Sequence, residues 1–295
     1  VEHPSVKVNW LVFVGAGFAF TFLSVDSRGQ ISLEDLKEAL TPDTILVSIM
    51  YVNNEIGTIQ PVEEAAKLVH ATVPGAVFHV DAIQAYGKVM IRPKQQGIDL
   101  LSVAHINSMV QREQAFYIAA ARLIFIQVIF GGGQQSGMRS GTENVPGAAG
   151  MDWQRSCYQN FEQKKAHLNE LRRYFLEGIH KLDDVSINGW DETADGEECI
   201  ERRAPHIVSV SFTGVRSEVL LNALSDRGIY VSSGSACSSN HPALSSTLQA
   251  IGLDKKLIEG TLRFSFCENT TKEELDQALK ALQELLPMLR RYTRR

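Results

Sequence analysis

Residues 43–64 read DTILVSIMYVNNEIGTIQPVEE, and residues 76–88 read AVFHVDAIQAYGK. Ile45-Leu46-Val47-Ser48-Ile49-Met50 is a short, nearly continuous apolar run, the pattern of a strand covered on both faces of a sheet. A polar loop from Val52 to Thr58 follows, and then a helical stretch from Pro61 to His70. Ala76-Val77-Phe78-His79-Val80 is a second such strand, ending at Asp81, and Ile98 to Val103 is a third. Strands separated by helical lengths imply a parallel α/β sheet, in which ligands bind at the carboxyl ends of the strands. Asn53-Asn54, Asp81 and His105 all stand just past such ends.

Outward from this centre the pattern changes. On the N-terminal side a helix is predicted from Leu33 to Leu40, stopped by Pro42. Asp152 to Leu182 is long, charged and helically periodic, and Asp183 to Arg203 is acidic and turn-rich. Ile207 to Phe212 alternates as a strand does, a helix spans Ser217 to Ser225, and Ile229-Tyr230-Val231 reads as a strand before the loop SSGSACSSNHP at 232–242. Thr271 with Glu274 forms a capping box ahead of an apolar-periodic helix running to Leu289. The expected organisation is a large domain over 1–158 and a smaller α+β domain over 159–295.

Composition narrows the function. The 295 residues are 44% hydrophobic and 21% charged with a net charge of −5, as in ordinary globular proteins. No basic field favours nucleic acid or an anionic membrane. Four cysteines without a CxxC pair give no zinc-site pattern, and such sparse usage fits a reducing, cytoplasmic setting. Trp10 to Val25 is nearly apolar but shorter than the roughly 20 residues a membrane span needs, and is expected as a buried strand or helix. It holds Gly15-Ala16-Gly17, half of a dinucleotide fingerprint, with Phe20 in the place of the third glycine.

Cys237 lies among glycine and serine residues that no core would select, so its thiolate could reach a substrate. A bland surface thiol is the competing reading. Asp81 at a strand end is a common helix N-cap. It is equally what a pyridine-ring cofactor needs to keep its nitrogen protonated and its ring an electron sink. Gly131-Gly132-Gly133-Gln134 and Arg139-Ser140-Gly141-Thr142-Glu143-Asn144 could offer backbone N–H groups to an anion, although no GxxxxGK[ST] is present.

Together, VEHPSV, DTILVSIMYVNNEIGTIQPVEE, HVDAIQAYGK, IDLLSVAH, FGGGQQSGMRSGTENVPG, VSSGSACSS and GTLRFSF run in fixed order from residue 1 to residue 266, spanning most of the chain. The chain resembles the cysteine desulfurases of the pyridoxal-phosphate-dependent class V aminotransferases, in the subgroup with an SSGSAC loop. The resemblance implies the aspartate aminotransferase-like fold of pyridoxal-phosphate-dependent transferases, with pyridoxal 5'-phosphate as cofactor and L-cysteine as substrate. It implies that His3 stacks on the cofactor ring and counts with Cys237 as catalytic. Asp81 pairs with the ring nitrogen, Gln84 contacts the ring hydroxyl, and Asn54 lies near that hydroxyl and the substrate. Ser102 and His105 hold the phosphate, with Thr142 reaching it from the other subunit of a homodimer. Arg263 clamps the substrate carboxylate. Cys237 takes the sulfur as a persulfide and passes it to an acceptor such as an iron–sulfur scaffold protein.

The chain also departs from that pattern. Ile106 follows His105 where the family carries its cofactor lysine, and no lysine stands between Lys94 and Lys164. Asn107 to Arg112 replaces a Gly-Pro-Lys-Gly turn, and Ser102 is one place further from His105 than expected. Lys7–Ala19 and Ile106–Val128 read as foreign to the family, whose members carry a further N-terminal portion with a phosphate-binding threonine. Without an amine at 106 turnover falls by orders of magnitude. An impaired, partner-binding protein is therefore an alternative. A selenocysteine lyase or a plain aminotransferase on the same fold is another, and the aminotransferase has no use for Cys237.

Overall fold

The computed structural model describes residues 1–3, 5–6, 13–15, 17–104, 115–119, 123, 129–154, 158–233 and 244–293. In chain order its main elements are α1 (Leu33–Ala39), β1 (Leu46–Met50), α2 (Val62–Thr72), β2 (Val77–Asp81), β3 (Leu100–Ala104), β4 (Ala115–Ala119), α3 (Val145–Gln154) and α4 (Phe161–Ile179). Then follow β5 (Val185–Asn188), α5 (Glu192–Asp195), β6 (Ile207–Phe212), α6 (Ser217–Ser225), β7 (Ser232–Ser233), α7 (Ser246–Ala250), α8 (Lys255–Glu259), β8 (Thr261–Ser265) and α9 (Lys272–Thr293). They fall into two compact units. One comprises residues 40–51 and 62–161; the other comprises 1–39, 52–61 and 162–295. The sequence expectation was a single cut between 158 and 159. The structure instead groups the two N-terminal segments with the C-terminal half.

In the unit built on residues 62–161 the sheet order is β1-β2-β3-β4. The first three strands are parallel and β4 is antiparallel to β3. The register pairs Ser48 with His79, Met50 with Asp81, His79 with Leu100 and Asp81 with Ser102, so these six side chains share one face. Phe78, Val80, Leu101 and Val103 belong to the opposite face and are buried. Helix α2 buries Val62, Ala65, Ala66 and Val69, positions spaced three and four apart as one helical face requires.

The other unit carries an antiparallel sheet, order β5-β6-β8-β7. Strand β6 is buried along its whole length. Its core joins Phe175 and Leu176 of α4 with Phe212, Leu220, Phe264 and Leu282. Phe175 lies 4.9 Å from Phe264 and 5.4 Å from Phe266 between ring centroids, within the range of favourable aromatic pairs. The turn into β8 requires glycine: a Cβ on Gly260 would stand 2.4 Å from the Phe212 carbonyl oxygen and 2.8 Å from that of Val215. The predicted capping box opens α9, with Thr271 N donating to Glu274 Oε2 at 2.9 Å and Glu274 N to Thr271 Oγ1 at 3.3 Å.

A buried ionic triad lies in the same unit. Glu192 accepts from Arg172 Nε at 3.1 Å and from Arg203 Nη2 at 2.8 Å. The remaining donors are also taken: Arg172 Nη2 reaches the Trp190 carbonyl at 2.7 Å and Arg203 Nη1 reaches Asn169 Oδ1 at 2.6 Å. Burial, and then the neighbouring Arg172 charge, push the Arg203 guanidinium down to about 10.

Two sequence expectations differ from the structure. Phe13, Val14, Phe18 and Phe22, in the segment expected to be buried, are exposed. The strand expected at Ile229–Val231 begins three residues later, where Ser232 and Ser233 pair with Arg263 and Leu262. No helix among the described residues is long and apolar enough to cross a membrane.

Candidate active site

The candidate residues divide between the two units. Asp81 ends β2, the middle one of three parallel strands, and is 2% exposed. Its backbone is clamped from both sides: Tyr51 N donates to the Asp81 carbonyl at 2.8 Å, and Ala82 N donates to the Ser102 carbonyl at 2.8 Å. Its carboxylate accepts from Ile83 N at 3.0 Å. Gln84 follows in the turn that begins at Ile83 and is half-buried. The β-sheet thus delivers a buried carboxylate to the edge where parallel sheets bind ligands.

Ser102 sits on the same face, its hydroxyl 2.8 Å from His79 Nε2. The other ring nitrogen, His79 Nδ1, lies 2.8 Å from Ser48 Oγ. His79 is therefore bridged between hydroxyls of the two neighbouring strands. Burial pushes its imidazole down to about 4, so it is neutral near pH 7. Sequence reading passed over His79, although its spacing of two from Asp81 puts both on one face of a strand.

The glycine-rich stretch folds back on itself. Ser140 N donates to the Ile129 carbonyl at 3.2 Å, Ser140 Oγ to the Gly132 carbonyl at 2.7 Å, and Gln135 Nε2 to Glu143 Oε1 at 2.7 Å. Gly131 and Gly141 take φ values of 154° and 115°, which favour glycine. Thr142 is exposed on this loop. His105 lies outside the described residues.

In the second group, Arg263 of β8 pairs in register with Ser209 of β6 and Ser232 of β7, and Ser209 pairs with Asn188 of β5. Asn188, Ser209, Arg263 and Ser232 form a polar rank across the sheet, with Asn188 Nδ2 donating to Ser209 Oγ at 3.1 Å. Arg263 Nη1 donates to the Asn54 carbonyl at 2.7 Å, and Nη2 lies 3.5 Å from Ser232 Oγ.

The loop bearing Asn54 is built by Asn53, which is buried. Asn53 Oδ1 accepts from Glu55 N at 2.9 Å and Ile56 N at 3.0 Å, and Asn53 N donates to the Thr58 carbonyl at 2.9 Å. Ser245, at the cap of α7, donates to Glu55 Oε2 at 2.5 Å and accepts from Leu248 N at 3.1 Å. Neither Glu55 nor Ser245 was singled out from sequence. His3 Nδ1 lies 2.7 Å from Ser5 Oγ. Cys237 lies outside the described residues. Cys199 is buried, which pushes its thiol pKa up. No group of three or more His, Cys, Asp or Glu among the described residues could hold a metal ion.

The chain belongs to the aminotransferase class-V family, whose sequence profile matches residues 1–105 and 125–278. Residues 106–124, left out of that match, fall inside the stretch read as foreign from sequence. Its curated relatives include a cysteine desulfurase of Nostoc sp., 35% identical over 98% of this chain and 70% of the relative. The cysteine desulfurase IscS of Clostridium botulinum is 37% identical over 98% of this chain and 71% of its own length. Among solved structures, a NifS-like protein superposes with a TM-score of 0.88 at 32% identity, covering 98% of this chain and 74% of that one. DndA from Streptomyces lividans gives 0.69 at 30% identity, over 90% and 73%. The expected α/β, pyridoxal-phosphate-dependent transferase fold is thereby borne out.

Proposed function

We propose that this chain is a cysteine desulfurase that takes sulfur from L-cysteine, leaves it as a persulfide on Cys237, and releases L-alanine. The observation that carries this reading is the pairing of Arg263 with Ser232. Arg263 stands opposite Ser232, five positions before Cys237, which supports a role for its guanidinium as the fork for the substrate carboxylate. The similarity to proteins named cysteine desulfurase supports the same reading.

The donor set fits pyridoxal 5'-phosphate at the ring and the phosphate. Asp81 is a buried carboxylate at a strand end, suited to a protonated ring nitrogen, and Gln84 offers an amide to the ring hydroxyl. By the family resemblance His3 would stack on the ring, and Asn54 would serve the ring hydroxyl and the substrate. By the same resemblance Ser102, His105 and Thr142 would hold the phosphate. When His79 donates to Ser102, the Ser102 O–H is left as a donor for a phosphate oxygen. Ile106 offers no amine, so pyridoxal 5'-phosphate would be held without a covalent bond at that position. Bound, the ring supplies an electron sink for the carbon beside the substrate amine.

The chain's own residues do the rest. Arg263 turns its fork to the substrate carboxylate and orients the thiol group. The Cys237 thiolate attacks the substrate sulfur: an S–S bond forms, the Cβ–S bond breaks, and its electron pair stays on carbon and is protonated. Enzyme thiol plus cysteine becomes enzyme persulfide plus alanine, with atoms balanced. The exposed Thr142 fits donation to a second subunit, and a homodimer in the cytoplasm is part of this reading, as is a sulfur-accepting partner such as an iron–sulfur scaffold protein.

Ile106 favours a second reading, a desulfurase-like protein that acts by binding such a partner. Incubation with pyridoxal phosphate and ³⁵S-labelled cysteine, followed by a non-reducing gel, separates the two. Reducible label in the wild type, lost in Cys237→Ala, is the expected result. A wild type that never takes label overturns the desulfurase reading. Steady alanine production by Cys237→Ala overturns the persulfide mechanism.

A further inference from the structure

On the face of the parallel sheet that carries Asp81, the register places Ser48, Met50, His79, Leu100 and Ser102 as its companions. Asp81 is the one carboxylate among these six residues, and His79 the one other group that could carry charge. Two residues along one strand span roughly 6.6 Å, close enough for a cation at 79 to compete for the field of Asp81. The fold holds His79 at both ends: Ser48 Oγ lies 2.8 Å from Nδ1 and Ser102 Oγ 2.8 Å from Nε2. A neutral imidazole offers one donor and one acceptor, so a hydroxyl on each side satisfies it without a proton being added. Its surroundings act in the same direction, since burial disfavours the charged ring.

We propose that His79 is a positioning residue for the cofactor ring, bridged between Ser48 and Ser102 so that it adds no positive charge beside Asp81 where that carboxylate faces the ring nitrogen. This rests on the desulfurase reading for its cofactor and adds a residue to it. His79 touches no reacting atom. It acts through Asp81, to whose field a neutral ring adds no cation, and through Ser102, whose hydroxyl it orients.

The full-length protein, titrated with pyridoxal phosphate labelled with ¹⁵N in the ring, tests this. In the wild type the ring nitrogen shows the shift of a protonated pyridinium at pH 7.5. His79→Gln, which keeps an uncharged donor and acceptor, retains that shift and binds within threefold of wild type. His79→Lys sets a fixed cation on the face; it weakens binding tenfold or more and moves the ring nitrogen toward the unprotonated shift. A folded His79→Lys protein with unchanged affinity and ring shift overturns the proposal and leaves the function standing. A wild type that binds no pyridoxal phosphate overturns both. Should His79→Lys fail to fold, the His79 imidazole ¹⁵N shifts of the wild type decide: a neutral ring from pH 5 to 8 supports the proposal, and a charged ring in that range overturns it.

Discussion

Arg263 donates from Nη1 to the backbone carbonyl of Asn54 at 2.7 Å, tying strand β8 to the loop that Asn53 shapes. A planar guanidinium can hold this carbonyl with one nitrogen and turn its other edge to a carboxylate; an ammonium offers no such fork. Arg263→Lys is expected to lower kcat/KM for cysteine by roughly 10–100-fold, the worth of one charged hydrogen bond. The loss falls mainly on KM. Steady-state kinetics reads it, and values within twofold of wild type would remove Arg263 from substrate binding.

Ile106→Lys should do the opposite. A lysine beside His105 supplies an amine that holds the cofactor and moves the substrate α-proton, and such acid–base groups contribute about 10²–10⁴-fold. The variant is expected to gain activity on that scale and to keep its yellow colour through dialysis. Borohydride should then fix the cofactor to the protein, visible as a mass adduct on the peptide containing residue 106.

Glu192 stands between Arg172 and Arg203, and all three are buried. Glu192→Gln leaves two guanidinium charges in the interior without a counter-ion, at an expected cost of about 3–5 kcal/mol. The unfolding midpoint in urea measures it. Replacing all three residues by apolar ones of similar volume should recover most of the loss, because the cost arises from unpaired charge rather than from missing contacts.

The pH profile of stability should carry a signature of His79. Its folded value near 4 lies below the ordinary 6.5, so the fold disfavours the charged ring. Between those two values the unfolded chain binds a proton that the folded chain does not. Stability is therefore full above pH 6.5 and falls as pH drops through the window, by up to about 1.4 kcal/mol per unit. His79→Gln removes that part of the slope. Comparing the two proteins by thermal melts at pH 4.5, 5.5 and 7 isolates it from the other histidines.

Strands β1, β2 and β3 were legible because they read as short apolar runs, and Asp81 was legible because it ends one of them. The capping box at Thr271 and Glu274 was legible because it is local. What escaped depends on distant partners. Glu192 sits in a stretch whose composition reads as a solvated turn, and only Arg172, 20 residues earlier, and Arg203, 11 residues later, make its burial tolerable. His79 gave no signal on its own, since its role comes from hydroxyls on two other strands. Trp10 to Val25 misled in the other direction: an apolar run need not be buried, and here Phe22 is 66% exposed.

The division of the chain into discontinuous units has a consequence for synthesis on the ribosome. Residues 1–39 and 52–61 belong with 162–295, while the intervening stretch supplies the parallel sheet. At roughly 5–20 residues per second, about 100 residues and some 5–20 s of translation separate the emergence of the Asn53 loop from its first C-terminal partners. During that interval the early segments, with the buried Asn53 and Ile56 among them, wait without the structure that receives them. They are the part of the nascent chain for which a chaperone has the longest time to compete.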